Sequence, residues 1–543
     1  MTGPGRTQLL ALAAVLLLLP MLLAWPLPQV FATEVLTHPE REAAAHIWGL
    51  WAGGHLGQPL LVQTSATGYP DGFSLVLVDP GQLPLYWLFG WISPAAGYNG
   101  LIWGNLVLAG VSGALLAHRQ RASLPLGAAL AMACPTLLAS TAEGTTEDFA
   151  APWVLLQLVL LLRLVDKPST GRLLSFALAF AWTSWCGPYN AVWSAFVDGA
   201  IGVGLLLQRR WRPAGFAVAG AGLGGLLILP QLWSLGQRSP GLPGTSERAG
   251  LPEVFESASF RGGLHHGADL MDPLVPGLLT TGEGIVSHTA YLGLAAVLLA
   301  GWAVAQDRRL WPWLVGALLM SSLSLGPYLY FKGQVVEALG HIALGPAGFL
   351  MQALPPLARL TRWYRAGAVA SFLLIVPLLE LAKGARWRAP VIAALILADL
   401  LFSAPLQWPL HHHPLPTALP PGGPLLEFPA FTTMTPPPGS WRDHSALSQT
   451  QHGRPIPGTF MEAPGREASA AIRHTQELAL RGSLPASAIR KLRAQGWEAL
   501  VVHPDLLPPH SGWERTLSCL GEPTLRADDA VLYSLEALES CTR

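Results

Sequence analysis

The chain is 543 residues long, with 51% hydrophobic residues, only 12% charged ones and a mean hydropathy of +0.39. About 25% of an ordinary soluble domain is charged, so a water-soluble globule is excluded. Lysine plus arginine and aspartate plus glutamate number 33 each, and a net charge of zero gives no electrostatic ground for a nucleic-acid partner.

In chain order, apolar stretches predict about eleven spans within residues 1–404. The first, Leu9–Trp25, has only Arg6 as a basic residue before it, and a signal peptide cleaved after Val30-Phe31-Ala32 is the alternative reading. Later spans are expected at Tyr98–Ala117, Leu124–Ala139, Phe149–Val165, Leu173–Cys186, Val192–Leu207, Phe216–Leu232, Thr289–Val304, Leu310–Leu329, Ala366–Leu381 and Pro390–Phe402. Leu83–Trp91 and Ile342–Leu354 are too short to cross and read as interfacial or re-entrant helices. Basic residues gather in every second connection: His118–Arg121, Lys167 with Arg172, Arg209–Arg212, Arg308–Arg309 and Lys383–Arg388. Loops rich in Lys and Arg stay cytoplasmic, which orients the whole ladder. Arg359, Arg362 and Arg365 break this pattern in a connection that the count places outside. An anionic group at the outer face would explain them, and attraction to lipid headgroups is the plainer alternative.

The acids also fall outside. After the first span, THPEREAAAHIWGLWAGG predicts an amphipathic helix with Glu40 and Glu42 at its start and Glu42 and His46 on one face. Trp48 and Trp51 form an adjacent stripe expected to rest on the membrane surface. Carboxylates at a helix start also favour the helix dipole with no further role. The next outside loop, TAEGTTEDF, holds Glu143, Glu147 and Asp148 within a few residues. Three such carboxylates repel one another and call for a divalent cation, hydrogen-bonded partners or raised pKa values, unless the turn is simply solvated. The long loop Gln231–Ser287 adds Glu253, Glu256, Arg261, His265, His266, Asp269 and Asp272 without diagnostic spacing.

Beyond Phe402 the chain turns proline-rich and then carries charge at soluble density, so residues 405–543 are expected to form an extracytoplasmic α/β domain. Pro485–Gln495 reads as a helix ended by Gly496, and Ala499–His503 and Ala530–Leu535 as strands. His411–His413 reads as linker, because no further ligand stands at a metal-binding spacing. Cys134 and Cys186 suit apolar packing, whereas Cys519 and Cys541 are the pair that an oxidising compartment would allow to form a disulfide.

Several short motifs then carry a resemblance. They are the acidic helix after the first span, the YPDG turn (Tyr69–Gly72), Asp-Pro before a short helix (Asp79–Leu88), Tyr98-Asn99, and LPPLARLTRWYR (Leu354–Arg365). In the tail, LSQTQHGRPIPGTF (Leu447–Phe460) and GWEALVVH (Gly496–His503) extend it. Together they resemble bacterial members of the GT-C superfold of membrane glycosyltransferases, distantly similar to protein O-mannosyltransferases. The resemblance implies a multi-pass protein of the bacterial inner membrane with its tail outside, a polyprenyl-phosphate sugar donor, and a glycan, lipid or protein acceptor. It also implies an acidic residue of the first outside loop acting on the acceptor. Aligned on His46-Ile47-Trp48, that residue is Glu42, where relatives tend to carry Asp, with Glu40 and Glu34 as the other counterparts. The arginines 359, 362 and 365 would then hold the donor phosphate, because a planar fork matches phosphate oxygens. A flippase for lipid-linked sugars and a non-catalytic envelope scaffold of the same fold are the rival readings. Against the flippase, the spans are almost free of charge apart from Asp198, Glu380 and Asp399, and no internal repeat is evident.

Overall fold

A computed structural model of the chain describes residues 5–38, 42–69, 72–77, 79–236, 267–275, 290–332, 334–338, 341–354, 357, 360, 362–383, 387–403, 410–429, 444–457, 466–507, 512–527 and 529–538. It divides into two units, one gathering Met1–Gln29, Gly100–Gly236 and Pro243–His411, the other Val30–Asn99, Gln237–Leu242 and His412–Arg543.

The first unit is built from apolar helices, the arrangement that satisfies backbone polar groups without water. A helix occupies each of the eleven predicted apolar stretches. Among the described residues five are long and apolar enough to cross a membrane: Arg6–Leu23, Pro94–Gln120, Thr146–Asp166, Pro188–Leu207 and Trp363–Ala382. A sixth results if Leu124–Met132 and Pro135–Thr141, bent by 49° against each other, count as one span. The other predicted spans are shorter, down to 13 residues in Leu294–Gln306. At 1.5 Å per residue such a helix is about 20 Å long, short of a hydrocarbon core of about 30 Å.

Proline opens many of these helices, standing at the first or second position of Leu124–Met132, Pro135–Glu143, Pro152–Asp166, Pro188–Leu207 and Trp311–Ser324. Its missing N–H costs nothing there, and its ring disfavours helix in the residue before it, which is why Gly187 separates Thr170–Cys186 from Pro188–Leu207. Small residues let backbones meet: a Cβ on Gly113 would lie 2.0 Å from the Gly127 carbonyl oxygen, so only glycine permits that crossing. At the centre, Ala366–Ala382 is buried along almost its whole length and packs on Leu294–Gln306 and Trp311–Ser324. The acids inside the apolar helices are partnered. Asp198 accepts from Gln157 Nε2 (2.5 Å), Asp399 accepts from Tyr291 Oη (2.7 Å), and Glu380 pairs with Lys383 (2.5 Å). Cys134 and Cys186 are buried and take part in no disulfide.

The second unit contains a four-stranded sheet in the order Leu525–Arg526, Val531–Ser534, Ala499–Val502, Leu425–Phe428. Ala499–Val502 runs antiparallel to Val531–Ser534 and parallel to Leu425–Phe428, with Leu500 opposite Leu426 and Val501 opposite Glu427. Alternation along the strands gives two apolar faces. Leu426, Phe428, Leu500, Val502 and Tyr533 pack on Ile472, Ile489, Leu492 and Trp497 from the helical side, and Leu425, Val501 and Leu532 form the opposite layer. The helix predicted at Pro485–Gln495 runs Ala486–Ala494, and Gly496 follows in the left-handed region at φ +87°, where a side chain is disfavoured.

The unit boundary differs from a simple cut at residue 404, because Val30–Asn99 joins the tail. Glu34–Val35 pairs with His413–Pro414, Thr67 bridges to Ile456, and the Tyr69 ring meets Trp497 edge-on at 4.9 Å. Such pairings join segments hundreds of positions apart, and no local pattern announces them.

Candidate functional site

The first unit brings Glu147, Asp148 and Arg365 together. Helix Pro135–Glu143 stops at Gly144, which takes φ +82°, and the chain then makes the single turn Thr146–Phe149 that carries both acids. Arg365 closes the 3-10 turn Trp363–Arg365 at the start of the central helix. Its Nη2 lies 2.7 Å from Glu147 Oε1 and its Nε 2.5 Å from Asp148 Oδ1. All three side chains are withdrawn from solvent, with 5% exposure for Arg365, 2% for Asp148 and 11% for Glu147. The guanidinium N–H bonds are not aligned on these oxygens, so the contacts are ion pairs rather than well-directed hydrogen bonds.

Other residues complete the cluster. Thr145 Oγ1 donates to Asp148 Oδ2 at 2.6 Å, and Tyr364 Oη donates to the same oxygen at 3.3 Å. The Arg365 guanidinium stands 4.4 Å from the centre of the Tyr189 ring, a cation–π distance. Asn190 Nδ2 donates to the Glu147 carbonyl at 3.0 Å, which ties the acidic turn to the helix opened by Pro188. Trp363 packs on Trp193 at 5.4 Å. Arg362 is half-buried three residues before Arg365. Thr145, Tyr189, Asn190 and Tyr364 had no signal in the sequence beyond adjacency to Glu147, Arg365 and the Gly187-Pro188 break.

The first-loop candidates lie in the second unit. Glu42 is half-buried at the N-cap of helix Ala43–His55 and makes no side-chain capping bond, and His46 is half-buried one turn on. The tryptophans of this helix correct the expectation of a membrane-resting stripe. Trp48 is 2% exposed, its Nε1–H donating to Gln449 Oε1 at 2.6 Å, and Trp51 packs against the same apolar cluster and stacks on His55. The reason is that Gln449 offers the indole N–H a buried acceptor that headgroup water would otherwise supply. Glu34 is an ion-pair partner of His412. Asp269 and Asp272 make local turn bonds, Asp269 Oδ1 accepting from Met271 N (3.0 Å) and Asp272 Oδ2 from Asp269 N (3.2 Å).

Glu40, Arg359, Glu253, Glu256, Arg261, His265, His266 and Cys541 lie outside the described residues, as does the side chain of Glu143. Among the described residues no group of three His, Cys, Asp or Glu side chains is placed to hold a metal ion.

No protein-family model matches the sequence, and no curated protein sequence matches it. Solved structures do. The arabinofuranosyltransferase AftD from Mycobacteria is similar at 17% identity and a TM-score of 0.51, over 98% of this chain and 40% of that one. The apo oligosaccharyltransferase of Archaeoglobus fulgidus is similar at 12% identity and a TM-score of 0.51, over 91% of this chain and 69% of that one. The chain thus spans less than half the length of the mycobacterial enzyme. Identities this low speak of fold alone, and the chain shares the fold of these two solved structures.

Proposed function

We propose that the protein is a membrane glycosyltransferase that moves a sugar from a polyprenyl-phosphate-linked donor to an extracytoplasmic glycan, lipid or protein. A shared fold hosts many activities, so the reading rests on the site. The observation that carries it is the buried Glu147–Asp148–Arg365 cluster. A chain with 12% charged residues keeps three of them out of water, at a cost met only where charges are paired or used.

In the proposed reaction the acceptor hydroxyl oxygen attacks the anomeric carbon, forming one C–O bond as the bond from that carbon to the phosphate oxygen breaks. The phosphate leaves with the electron pair. The hydroxyl proton passes to a carboxylate, for which Glu42 is the proposed base. Charge building on the leaving phosphate is met by arginine, and Arg362 is the proposed ligand. Arg365 is committed to two carboxylates, so its proposed part is to hold the Arg362 turn in shape. Purified protein given radiolabelled polyprenyl-phosphate sugar and envelope acceptors is expected to release free polyprenyl phosphate and labelled product. Absence of transfer, with labelled lipid instead crossing the bilayer of proteoliposomes, would establish the flippase. The part-buried Asp198–Gln157 pair is the feature that favours that rival.

Arg362→Lys keeps the charge and loses the fork. It is expected to weaken donor binding about tenfold, roughly 1.4 kcal/mol, with expression and membrane insertion unchanged. Equal donor affinity in the two proteins would return Arg362 to ordinary headgroup attraction.

The proposed orientation is tested by cysteine labelling in spheroplasts, in a background with Cys519 and Cys541 changed to serine. A cysteine at exposed Glu522 is expected to react with an impermeant maleimide, and one at exposed Gln208 is not. The reverse result would put the tail and Glu42 in the cytoplasm and remove them from the reaction.

A further inference from the structure

In the second unit the helix His444–His452 lies over a buried carboxylate. Glu427 is 0% exposed in the middle of a sheet strand, on the face opposite to its neighbours Leu426 and Phe428. His452 Nε2 is 3.7 Å from Glu427 Oε1, and the rings of His444 and His503 meet edge-on at 4.2 Å. His503 Nδ1 lies 2.9 Å from the Asp529 carbonyl oxygen, and His452 Nδ1 accepts from Arg454 N at 2.9 Å. The same helix carries Gln449, also 0% exposed, which is saturated with hydrogen bonds. Its Oε1 accepts from Trp48 Nε1 and Thr67 Oγ1, and its Nε2 donates to the carbonyls of Ala66 and Arg454. One nine-residue helix therefore both covers a cluster of titratable groups and anchors the helix that begins at Glu42.

We propose that the helix His444–His452 is an acid-released latch, closed over Glu427 while His444 is neutral and opened by its protonation, and that opening frees the helix Ala43–His55. The groups facing His444 are Glu427 from the sheet strand, His503 from the end of the next strand, Asp529 from the loop before Val531, and His413 from the paired strand His413–Pro414. Burial and the neighbouring His503 push the His444 imidazole down from its ordinary 6.5 to about 3. A base depressed in the closed state is stable there uncharged. Its contribution is whole above pH 6.5 and declines as pH falls from there towards 3, because only the open state takes up the proton. Glu427 acts in the same direction at lower pH. Burial alone would raise it, but the contact with His452 and the neighbouring His503 outweigh burial and hold it well below the carboxylate range, so its contribution fades below pH 4.5. Opening thus takes up one proton between pH 6.5 and 4.5, and a second below that.

Hydrogen exchange on the full chain in nanodiscs tests this, with rates corrected for intrinsic pH dependence. Protection of the 444–452 amides is expected to fall about tenfold per pH unit below 6.5, and more steeply below 4.5. Ala43–His55 should follow in step, while the strand Ala499–Val502 should stay protected. His444→Gln is expected to flatten the profile between pH 6.5 and 4.5. A flat wild-type profile, or an unchanged slope in His444→Gln, would overturn the latch. So would a stoichiometric bound metal whose removal by EDTA opens the helix at pH 7.5, since a cation and not a neutral imidazole would then hold it. Any effect of opening on turnover rests on the reading of Glu42 as base. Protein that exchanges as expected but transfers no sugar at any pH would fail that reading and leave the latch standing.

Discussion

Arg365→Met is expected to destabilise the first unit by about 3–5 kcal/mol, the usual cost of removing one partner from a buried ion pair. The mutation removes the guanidinium that contacts both Glu147 and Asp148, which are 11% and 2% exposed. Thr145 and Tyr364 donate to Asp148 Oδ2, whereas the guanidinium contacts Glu147 Oε1 and Asp148 Oδ1 at once. Arg365→Lys should recover only part of the loss, because an ammonium point charge cannot span both carboxylates as the fork does. The decisive comparison is the triple variant Arg365→Met, Glu147→Gln, Asp148→Asn, which removes all three charges and keeps their volumes. It should unfold, in detergent, near the wild-type midpoint. If the single and triple variants are equally destabilised, packing on the Tyr189 ring is the main contribution and the ion pairs are incidental.

Glu42→Gln is expected to lower sugar transfer by roughly 100-fold or more, the scale of a general-base contribution, while donor binding survives. The substitution keeps the size of the side chain and removes its ability to take a proton. Access favours Glu42 over the buried acids: it is half-buried at a helix start, whereas Asp148 is enclosed by Arg365, Thr145 and Tyr364. The reading fails if Glu42→Gln and Glu40→Gln both turn over at near-normal rates. The first-loop carboxylates would then be structural, and Glu147 and Asp148 the better candidates.

Much of the fold was legible in the residues. Apolar stretches of bilayer scale have to be helical, because no water is present to satisfy an extended backbone, and each predicted stretch contains a helix. Gly496 closed the predicted tail helix, and the apolar run after it is the strand Ala499–Val502. The acids beside Gly144 and the arginines before Ala366 also stood out as charges misplaced in an apolar chain.

Tertiary structure alone decided what those charges do. Asp148 and Tyr364 bond across 216 positions, and no period or spacing encodes a pairing that packing of the central helix creates. Arg365, read as a phosphate ligand, is claimed by two carboxylates, and Trp48, read as a membrane anchor, is buried on Gln449. Glu34 found His412, and Val30–Asn99 joined the tail through strand pairs that neither segment signals by itself. Local sequence specifies which face of an element is apolar, because side-chain period follows directly from backbone geometry. Which buried polar group meets which is set by long-range packing, where each must find a partner among whatever the folded chain brings near.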